Sequence, residues 1–350
     1  MLLTCQPGFE ALLARELAEL HGAPVEGKGP GWVQLKSSAV LPPALETAGR
    51  WRKHRATADL AFAHLTLRDP TEIRSDSVNA LATRVTEFFL ESLRDERIEA
   101  AWPSMWLGPQ EIAGLGRRIS AVEAAFAGQL KKKLSRVAKL ATPGLPRGSG
   151  PVRGLFVFFA EFGCVFVSRD AFVHGPRRMA DDERAPSRSY LKIEEACVVF
   201  GREPQPGETV CDLGAAPGGW SYSAAKRGAR VIAIDNGPLK GGALGHPHIE
   251  HRREDAFRFF PPAGESFDWL FCDLVEEPHH VLCDIIGPWL ARHWCHRFVV
   301  NLKFGRVDPI ALLRELRAPG SPLVAHAPGA RISHLYHDRE EFTVVGEVRA

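Results

Sequence analysis

The second half of the chain repeats one pattern, in which a short apolar run is followed by a segment long enough for a helix. The runs are Thr209–Leu213, Arg230–Asp235, Phe267–Asp273 and Arg297–Lys303. Such alternation is typical of a parallel, doubly wound sheet, because each crossover helix packs on the sheet that its flanking strands belong to. Residues 189–350 are therefore predicted to form an α/β domain.

The composition indicates a folded chain. Of its 350 residues, 45% are hydrophobic and 25% are charged, which is near the average for globular proteins and excludes disorder, collagen or a coiled coil for the whole. No apolar stretch approaches the ~18 residues of a membrane helix, and no secretory signal is visible. Seven cysteines without a C-x-x-C pair predict reduced, buried thiols in a cytoplasmic protein.

The first half of the chain does not show this regular alternation of apolar runs and helices. A strand is predicted over Met1–Thr4, and leucines at helical spacing predict a helix over Glu10–Leu20. Two more helices are predicted near Ser77–Ser92 and Ala121–Leu140, followed by the apolar runs Leu155–Phe159 and Cys164–Ser168, whose connection has the size of a hairpin. Residues 169–188 are polar and interrupted by proline, as expected of a linker.

A glycine-rich turn follows the first apolar run of the second half. It reads Asp212-Leu213-Gly214-Ala215-Ala216-Pro217-Gly218-Gly219-Trp220. Glycine lacks a Cβ atom, so such a turn lets the backbone approach a ligand that lies across the carboxyl ends of the strands. The G-x-G-x-x-G spacing of dinucleotide enzymes is absent, which disfavours a nicotinamide dehydrogenase.

Two carboxylates follow the next predicted strands. Asp235 lies 21 residues after Gly214, where it can accept hydrogen bonds from both ribose hydroxyls of an adenosine. Asp255 follows another predicted strand and is placed to accept from the adenine amino group. A glycine turn alone is common after a strand, but together with both carboxylates it predicts an adenosine-type cofactor.

The string from Asp212 to Trp220 resembles the S-adenosylmethionine loop of ribose 2'-O-methyltransferases related to FtsJ. The wider chain resembles the bacterial ribosomal RNA large subunit methyltransferase M family, which modifies a cytidine of 23S rRNA. The supporting strings are Cys5–Glu10, Pro186–Lys192, Asp235–Pro238, Asn301–Lys303 and Leu335–Glu341. Residues 22–114 carry the resemblance only by order and length.

The resemblance implies a ferredoxin-like N-terminal domain over residues 1–68, a THUMP-type RNA-binding domain over 69–168, a linker over 169–188 and a Rossmann-like methyltransferase domain over 189–350. It also implies S-adenosylmethionine as cofactor, 23S rRNA or a large-subunit precursor as partner, and a monomer without a metal. The expected cofactor residues are Ser189, Gly214, Ala216, Pro217, Gly218, Gly219, Asp235, Asp255 and Asp273. For Ser189, an N-terminal helix cap remains an equal alternative.

Methylation of a ribose requires a hydroxyl to lose its proton as it attacks a sulfonium methyl group. The attack neutralises the sulfonium, so alignment and a base are needed rather than a metal. Lys303, at the end of an apolar run, is the expected base. A lysine becomes a useful base only when burial or a like charge lowers its pKa, and the resemblance places Lys192 in the same pocket.

The resemblance assigns Lys303, Lys192 and Asp273 to a Lys-Asp-Lys-Glu tetrad. Its fourth member is Glu340 or Glu341, which point to opposite faces if they lie in a strand. The family pattern of Glu, an apolar residue and then Thr or Tyr favours Glu341.

Two rival functions remain. The first is methylation of an RNA base, for which Cys272 would be the nearest nucleophile at cytosine C5, although a packed core thiol is the better interpretation. The second is a non-catalytic rRNA-binding assembly factor. A metal site at His246, His248 and His251 is disfavoured because no cysteine or carboxylate set lies at zinc spacing.

A basic island lies between Arg117 and Arg153, in a chain whose formal net charge is only +2. It holds nine Lys and Arg residues against one acid, Glu123. Within its predicted helix, the expected phosphate-facing row is Lys132, Arg136 and Lys139, and the expected packed row is Leu130, Leu134 and Val137. This arrangement predicts contact with RNA phosphates, although a solvated face is its usual meaning.

Overall fold

A computed structural model describes residues 1–36, 60–94 and 96–349. These residues form two compact units. The first comprises the described residues of 1–58 and 62–174, and the second comprises those of 59–61 and 175–350.

The first unit is built on one mixed sheet with helices. Its strands are β1 Leu2–Thr4, β2 Val25–Gly29, β3 Trp32–Leu35, β4 Leu65–Leu67, β5 Thr71–Arg74, β6 Trp102–Leu107, β7 Ala141–Thr142, β8 Gly150–Glu161 and β9 Cys164–Val173. Its helices are α1 Glu10–Arg15, which continues as a π-helical turn over Glu16–Leu20, α2 Val78–Glu91, α3 Leu115–Lys133 and α4 Ser135–Lys139. In the described residues the strand order is β2-β3-β1-β4-β9-β8-β6-β7, with β5 also on β9.

Strand β4 joins the two halves of this sheet. It pairs antiparallel with β1 on one side and with β9 on the other. Strands from residues 1–68 and from residues 69–168 therefore share one sheet, and β9 extends to Val173, inside the predicted linker. The names ferredoxin-like and THUMP-type remain predictions for these two stretches.

The helix predicted near Ala121–Leu140 is divided at Leu134, which leaves helical geometry between α3 and α4. The chain turns there because α4 is held by Trp102, whose backbone N–H donates to Leu140 and whose indole N–H donates to the Val137 carbonyl at 2.9 Å. The prediction of two continuous helical rows is therefore wrong. Leu134 is exposed rather than packed.

The second unit holds the predicted α/β sheet. Its strands are β10 Thr209–Leu213, β11 Arg230–Ile234, β12 Ile249–Arg252, β13 Phe267–Cys272, β14 Cys295–Lys303, β15 Arg331–Ser333 and β16 Glu341–Glu347. Its helices are α5 Tyr190–Phe200, α6 Gly219–Ala225, α7 Pro278–Val281, which continues through a π-helical turn over Leu282–Ile286, α8 Gly287–Ala291, α9 Pro309–Leu316 and α10 Pro322–His326, with a 3-10 turn over Gly241–Ala243.

The strand order in the second unit is β12-β11-β10-β13-β14-β16-β15. Strands β10 to β14 run parallel, whereas β16 runs antiparallel between β14 and β15. The fold class is confirmed. Because the central parallel strands β10, β13 and β14 are buried on both faces, they appear in the sequence as continuous apolar runs, and their core includes Trp269, Phe271 and Val299.

The sheet of the second unit brings the ends of β10, β11, β13 and β14 to one edge, the usual position of a ligand in open α/β sheets. Strand β16 begins at this same edge, where Glu341 stands opposite Lys303 in the ladder with β14.

All seven cysteines are free thiols. Six are buried as predicted, but Cys283 is exposed because it lies on a surface π-helical turn rather than in a strand. Among the helices that the structure describes, none is long and apolar enough to cross a membrane.

Candidate active site

The glycine turn between β10 and α6 packs tightly against neighbouring loops. Gly214 has a φ of +76°, and a Cβ atom there would lie 2.8 Å from Leu274 Cδ2. Gly218 has a φ of +105°, and its Cβ would lie 2.5 Å from the Cβ of Ala243. Both positions therefore require glycine, on conformational and on steric grounds.

Asp235 closes this turn from the end of β11. Its Oδ2 accepts from the Ala216 N–H at 2.9 Å, and its Oδ1 accepts from the Gly237 N–H at 2.7 Å. Within the turn, Pro217 is joined to Ala216 by a cis peptide bond and its carbonyl accepts from the Lys240 N–H. Each Asp235 oxygen keeps a second lone pair for a ligand hydroxyl.

Asp255 follows β12, the strand next to β11, and its carboxylate is exposed. Its Oδ1 accepts the local Phe257 N–H at 3.0 Å, and its Oδ2 lies 3.5 Å from Arg258 Nε. The Gly214 turn, Asp235 and Asp255 thus follow three neighbouring parallel strands, β10, β11 and β12.

Ser189 lies against Gly219, since a Cβ built on that glycine would approach the Ser189 Oγ to 2.8 Å. The alternative of a capping hydrogen bond is wrong. The backbone of Ser189 is already helical, with φ −61° and ψ −22°, whereas a capping residue needs an extended backbone to reach the next turn. Its hydroxyl instead lies 2.8 Å from the Ser187 hydroxyl.

One functional candidate was missed by sequence reasoning at the turn itself. Asp212 is 1% exposed, and its Oδ2 accepts from the Ser221 hydroxyl at 2.6 Å. Its buried Oδ1 has no hydrogen-bond partner among the residues that the structure describes. Burial raises the pKa of Asp212 to about 7. An orphaned acceptor of this kind is what a ligand N–H or ammonium group would satisfy.

Four charged side chains meet at the edge beside this turn. Lys303 Nζ donates to Asp273 Oδ1 at 2.5 Å and to Glu341 Oε2 at 2.6 Å. Lys192 Nζ, from α5, donates to the other oxygen of Glu341. The order Lys192–Glu341–Lys303–Asp273 therefore alternates in charge. The exposed fractions of these side chains are 13%, 6%, 22% and 17%.

This alternation determines the protonation of the cluster. Burial acts to raise the pKa of Glu341, but the charges of Lys303 and Lys192 outweigh it and lower that pKa to about 2. Burial likewise acts to lower the pKa of Lys303, but Asp273 and Glu341 raise it. The expectation that Lys192 lowers the pKa of Lys303 is therefore wrong, because Glu341 lies between the two ammonium groups and compensates both.

The two adjacent glutamates are clearly separated. Glu341 is buried opposite Lys303, whereas Glu340 is exposed and its carboxylate lies over Gly305. Only Glu341 contacts the two lysines.

A second set of polar residues supports the four charges. Asn301 Nδ2 donates to Asp273 Oδ1 at 3.1 Å, and Thr343 Oγ1 lies 2.7 Å from Asn301 Oδ1. Sequence reasoning missed both, although the two-residue period of a strand places Asn301 on the face of Lys303 and Thr343 on the face of Glu341.

Buried Glu195, one turn after Lys192 on α5, was also missed. It accepts the backbone N–H groups of Arg177, Tyr336 and His337 at 2.7, 2.8 and 3.1 Å. These hydrogen bonds link residue 177 and residues 336–337 to α5, the helix that carries Lys192.

The basic island lies in the first unit. Lys131, Lys132, Lys133, Arg136 and Lys139 are exposed. Two other members serve the fold: Arg153 pairs with Glu96 and Asp170, and Arg118 donates to carbonyl groups of residues 75, 76 and 162.

Comparison with known proteins gives consistent results. Residues 185–293 match the family described as FtsJ-like methyltransferase. A relative from Laribacter hongkongensis is named ribosomal RNA large subunit methyltransferase M. It is 34% identical over an alignment of 365 positions, which covers 98% of this chain and 95% of the relative. A relative of the same name from Chromohalobacter salexigens is 33% identical, and the match covers 98% of this chain and 96% of the relative. Another from Halorhodospira halophila is 36% identical, and the match covers 73% of this chain and 74% of the relative.

Proposed function

Because the chain belongs to the ribosomal RNA large subunit methyltransferase M family, and is thus an RNA methyltransferase, we propose that it methylates the ribose 2'-hydroxyl of a cytidine in 23S rRNA. The observation that carries this proposal is the Lys192–Glu341–Lys303–Asp273 cluster at the sheet edge, next to a glycine turn. A hydroxyl acceptor needs such a base and orienting charges, and does not need a nucleophilic side chain.

The residues at the edge fit S-adenosylmethionine, and we propose that they bind it. Gly214, Gly218 and Gly219 would allow close approach of the ligand, and Asp235 would accept from its ribose. Ala216, Pro217, Ser189, Asp255 and Asp273 would complete the contacts, and the orphaned oxygen of Asp212 offers an acceptor to an amino group. When bound, this cofactor supplies a methyl group on a positively charged sulfur.

We assign the role of general base to Lys303. As the cluster stands, its ammonium is held by two carboxylates, so the amine becomes a base only after it releases a proton to the solvent that its exposed part reaches. The free amine then accepts the hydroxyl proton, Asp273 and Glu341 hold the ammonium that results, and Lys192 keeps Glu341 ionised.

The rival chemistry at cytosine C5 finds no support in the thiol nearest the edge. Cys272 is fully buried, and burial raises its pKa to about 12. A thiol attacks as the thiolate, so we propose that Cys272 packs in the core and does not act as a nucleophile.

For the first unit we propose RNA binding through the exposed basic residues of α3 and α4, within a THUMP-type domain over residues 69–168 that follows a ferredoxin-like domain over 1–68. Lys131, Lys132, Lys133, Arg136 and Lys139 present five positive charges to solvent, and phosphate contacts of this kind make affinity depend on salt. We propose that the protein acts as a monomer in the cytoplasm, on 23S rRNA or a large-subunit precursor.

The test is transfer of labelled methyl from S-adenosylmethionine to unmodified 23S rRNA and to precursor particles, followed by nuclease digestion. We expect label on a cytidine ribose, where it blocks cleavage at the adjacent 3' phosphate. Lys303→Ala should abolish transfer and retain cofactor binding, whereas Lys28→Ala, at an exposed lysine of the first unit, should behave as the wild type. Label on a base would establish the rival chemistry. Binding of cofactor and RNA with no transfer to either substrate would establish the assembly factor.

A further inference from the structure

Three buried polar side chains lead from Asp273 into the protein. Asn301 donates to Asp273 at 3.1 Å, Thr343 lies 2.7 Å from Asn301, and Asp338 lies 2.9 and 3.2 Å from the Thr343 hydroxyl through its Oδ2 and Oδ1. Their exposed fractions are 0%, 1% and 1%. This series of hydrogen bonds therefore ends at the carboxyl group of Asp338, which water does not reach. The protein itself must supply every hydrogen in the series.

The number of available donors determines the direction of these hydrogen bonds. The Asn301 amide N–H faces the Asp273 carboxylate, so its Oδ1 faces Thr343 and can only accept. The single Thr343 hydroxyl hydrogen is used there, and towards Asp338 the hydroxyl can only accept. Rotating the Asn301 amide would instead place its oxygen about 3 Å from a carboxylate oxygen. Asp338 must therefore be the donor, and a carboxyl group donates only when it is protonated.

The surroundings of Asp338 agree with this count. Its Oδ2 already accepts from the Leu335 N–H at 2.8 Å, which leaves Oδ1 to carry the hydrogen. The charged groups that act on it include Glu341 and Lys192, and the buried carboxyl group of Glu195 also interacts electrostatically with it. Burial and then the charge of Glu341 raise the pKa of Asp338 to about 7, against the opposing charge of Lys192.

We propose that Asp338 is a positioning residue whose protonated carboxyl group sets the direction of the Thr343–Asn301 hydrogen bonds and thereby holds Asp273 towards Lys303. This inference rests on the proposed function for the consequence at Asp273 and Lys303. If Asp338 ionises, the Thr343 hydroxyl turns to it, and Asn301 loses the donor that fixes its amide. Asp273 then loses its orienting partner.

The protonation of Asp338 is tested by infrared difference spectroscopy between the wild type and Asp338→Asn. We expect a protonated-carboxyl band in the wild type at pH 6 that the variant lacks and that fades by pH 9. A difference spectrum that shows only an ionised carboxylate at pH 6 would overturn the inference. This measurement needs no methyl transfer, so its failure is distinguishable from failure of the proposed function.

The consequence for Asp273 is tested by the pH profile of methyl transfer. Asparagine can donate from Nδ2 to Thr343 and accept from Leu335, so Asp338→Asn should match the wild-type kcat within about twofold at pH 6. Its rate relative to the wild type should then rise at least tenfold by pH 9, because the variant cannot ionise. A ratio that is flat with pH, or a loss of activity in the variant at pH 6, would overturn the proposal.

A second pair of variants keeps the test decisive if Asp338→Asn folds poorly. Thr343→Val removes the hydroxyl at nearly constant volume, and Thr343→Ser keeps it. We expect Thr343→Val to lower kcat at least tenfold with KM for RNA unchanged, and Thr343→Ser to restore it. Equal activity of the two variants would show that the hydroxyl chain does not position Asp273.

Discussion

Glu341→Gln tests the electrostatics of the cluster most directly. Glu341 has a folded-state pKa of about 2, compared with its ordinary 4.5. At about 1.4 kcal/mol for each pKa unit, this difference corresponds to about 3 kcal/mol of favourable interaction between its ionised carboxylate and its surroundings. The side chain is only 6% exposed, so solvent screens little of this energy.

The sign of the pH dependence follows from the direction of the shift. Because the folded-state pKa lies below the ordinary value, the contribution is complete above pH 4.5 and is lost as the pH falls towards 2. We expect Glu341→Gln to lower the free energy of unfolding of the second unit by about 3 kcal/mol at pH 7, and by only about 1.4 kcal/mol at pH 3, where about one pKa unit remains.

Hydrogen exchange of the β16 amides across a urea series at each pH measures this quantity in the second unit alone. Glu340→Gln is the matched control, since Glu340 is adjacent but exposed, and it should change stability by less than about 0.5 kcal/mol. An equal loss in the two variants, or a loss in Glu341→Gln that is the same at pH 7 and pH 3, would refute the reasoning.

Three further predictions concern other parts of the second unit. Gly214→Ala should weaken S-adenosylmethionine binding at least tenfold by calorimetry, because the added Cβ meets Leu274, whereas Gly245→Ala adds a Cβ at a similar positive φ in open space and should not. Cys272→Ala should keep full methyl transfer in the labelling assay, because this buried thiol takes no part in the chemistry; loss of transfer with intact folding would contradict this. Glu195→Gln should lower the free energy of unfolding by about 1–3 kcal/mol in urea titrations, because its amide cannot accept all three backbone N–H groups; unchanged stability would show that those bonds contribute nothing.

The sequence predicts the central strands well for a simple physical reason. A strand buried on both faces must be apolar throughout, and β10 matches its predicted bounds while β11 and β13 end one residue earlier. Asp273 and Lys303 directly follow or end such apolar runs, so the pattern of the runs alone is enough to place both catalytic candidates at one edge of the sheet.

The interruption at Leu134 could not be predicted, because Trp102, more than thirty residues earlier, holds the following turn. The protonation of Lys303 was misjudged for a related reason. The sequence indicates that two lysines share a pocket, but it does not show that Glu341 lies between them. Contacts of this kind depend on distances across the fold, and local spacing carries little information about them.

The antiparallel pairing of β14 with β16 places Lys303 opposite Glu341, and this has a consequence for how the enzyme can change. The chain leaves the edge after residue 303 and returns to it at residue 341, so insertions or deletions in the part of this connection before β15 need not disturb the pair. A deletion of one residue inside either strand would instead send every following side chain to the opposite face. The part of the connecting segment before β15 is thus free to diversify in length and composition, whereas the stretch from β15 to Glu341, which carries Asp338, is constrained by its contacts with β16.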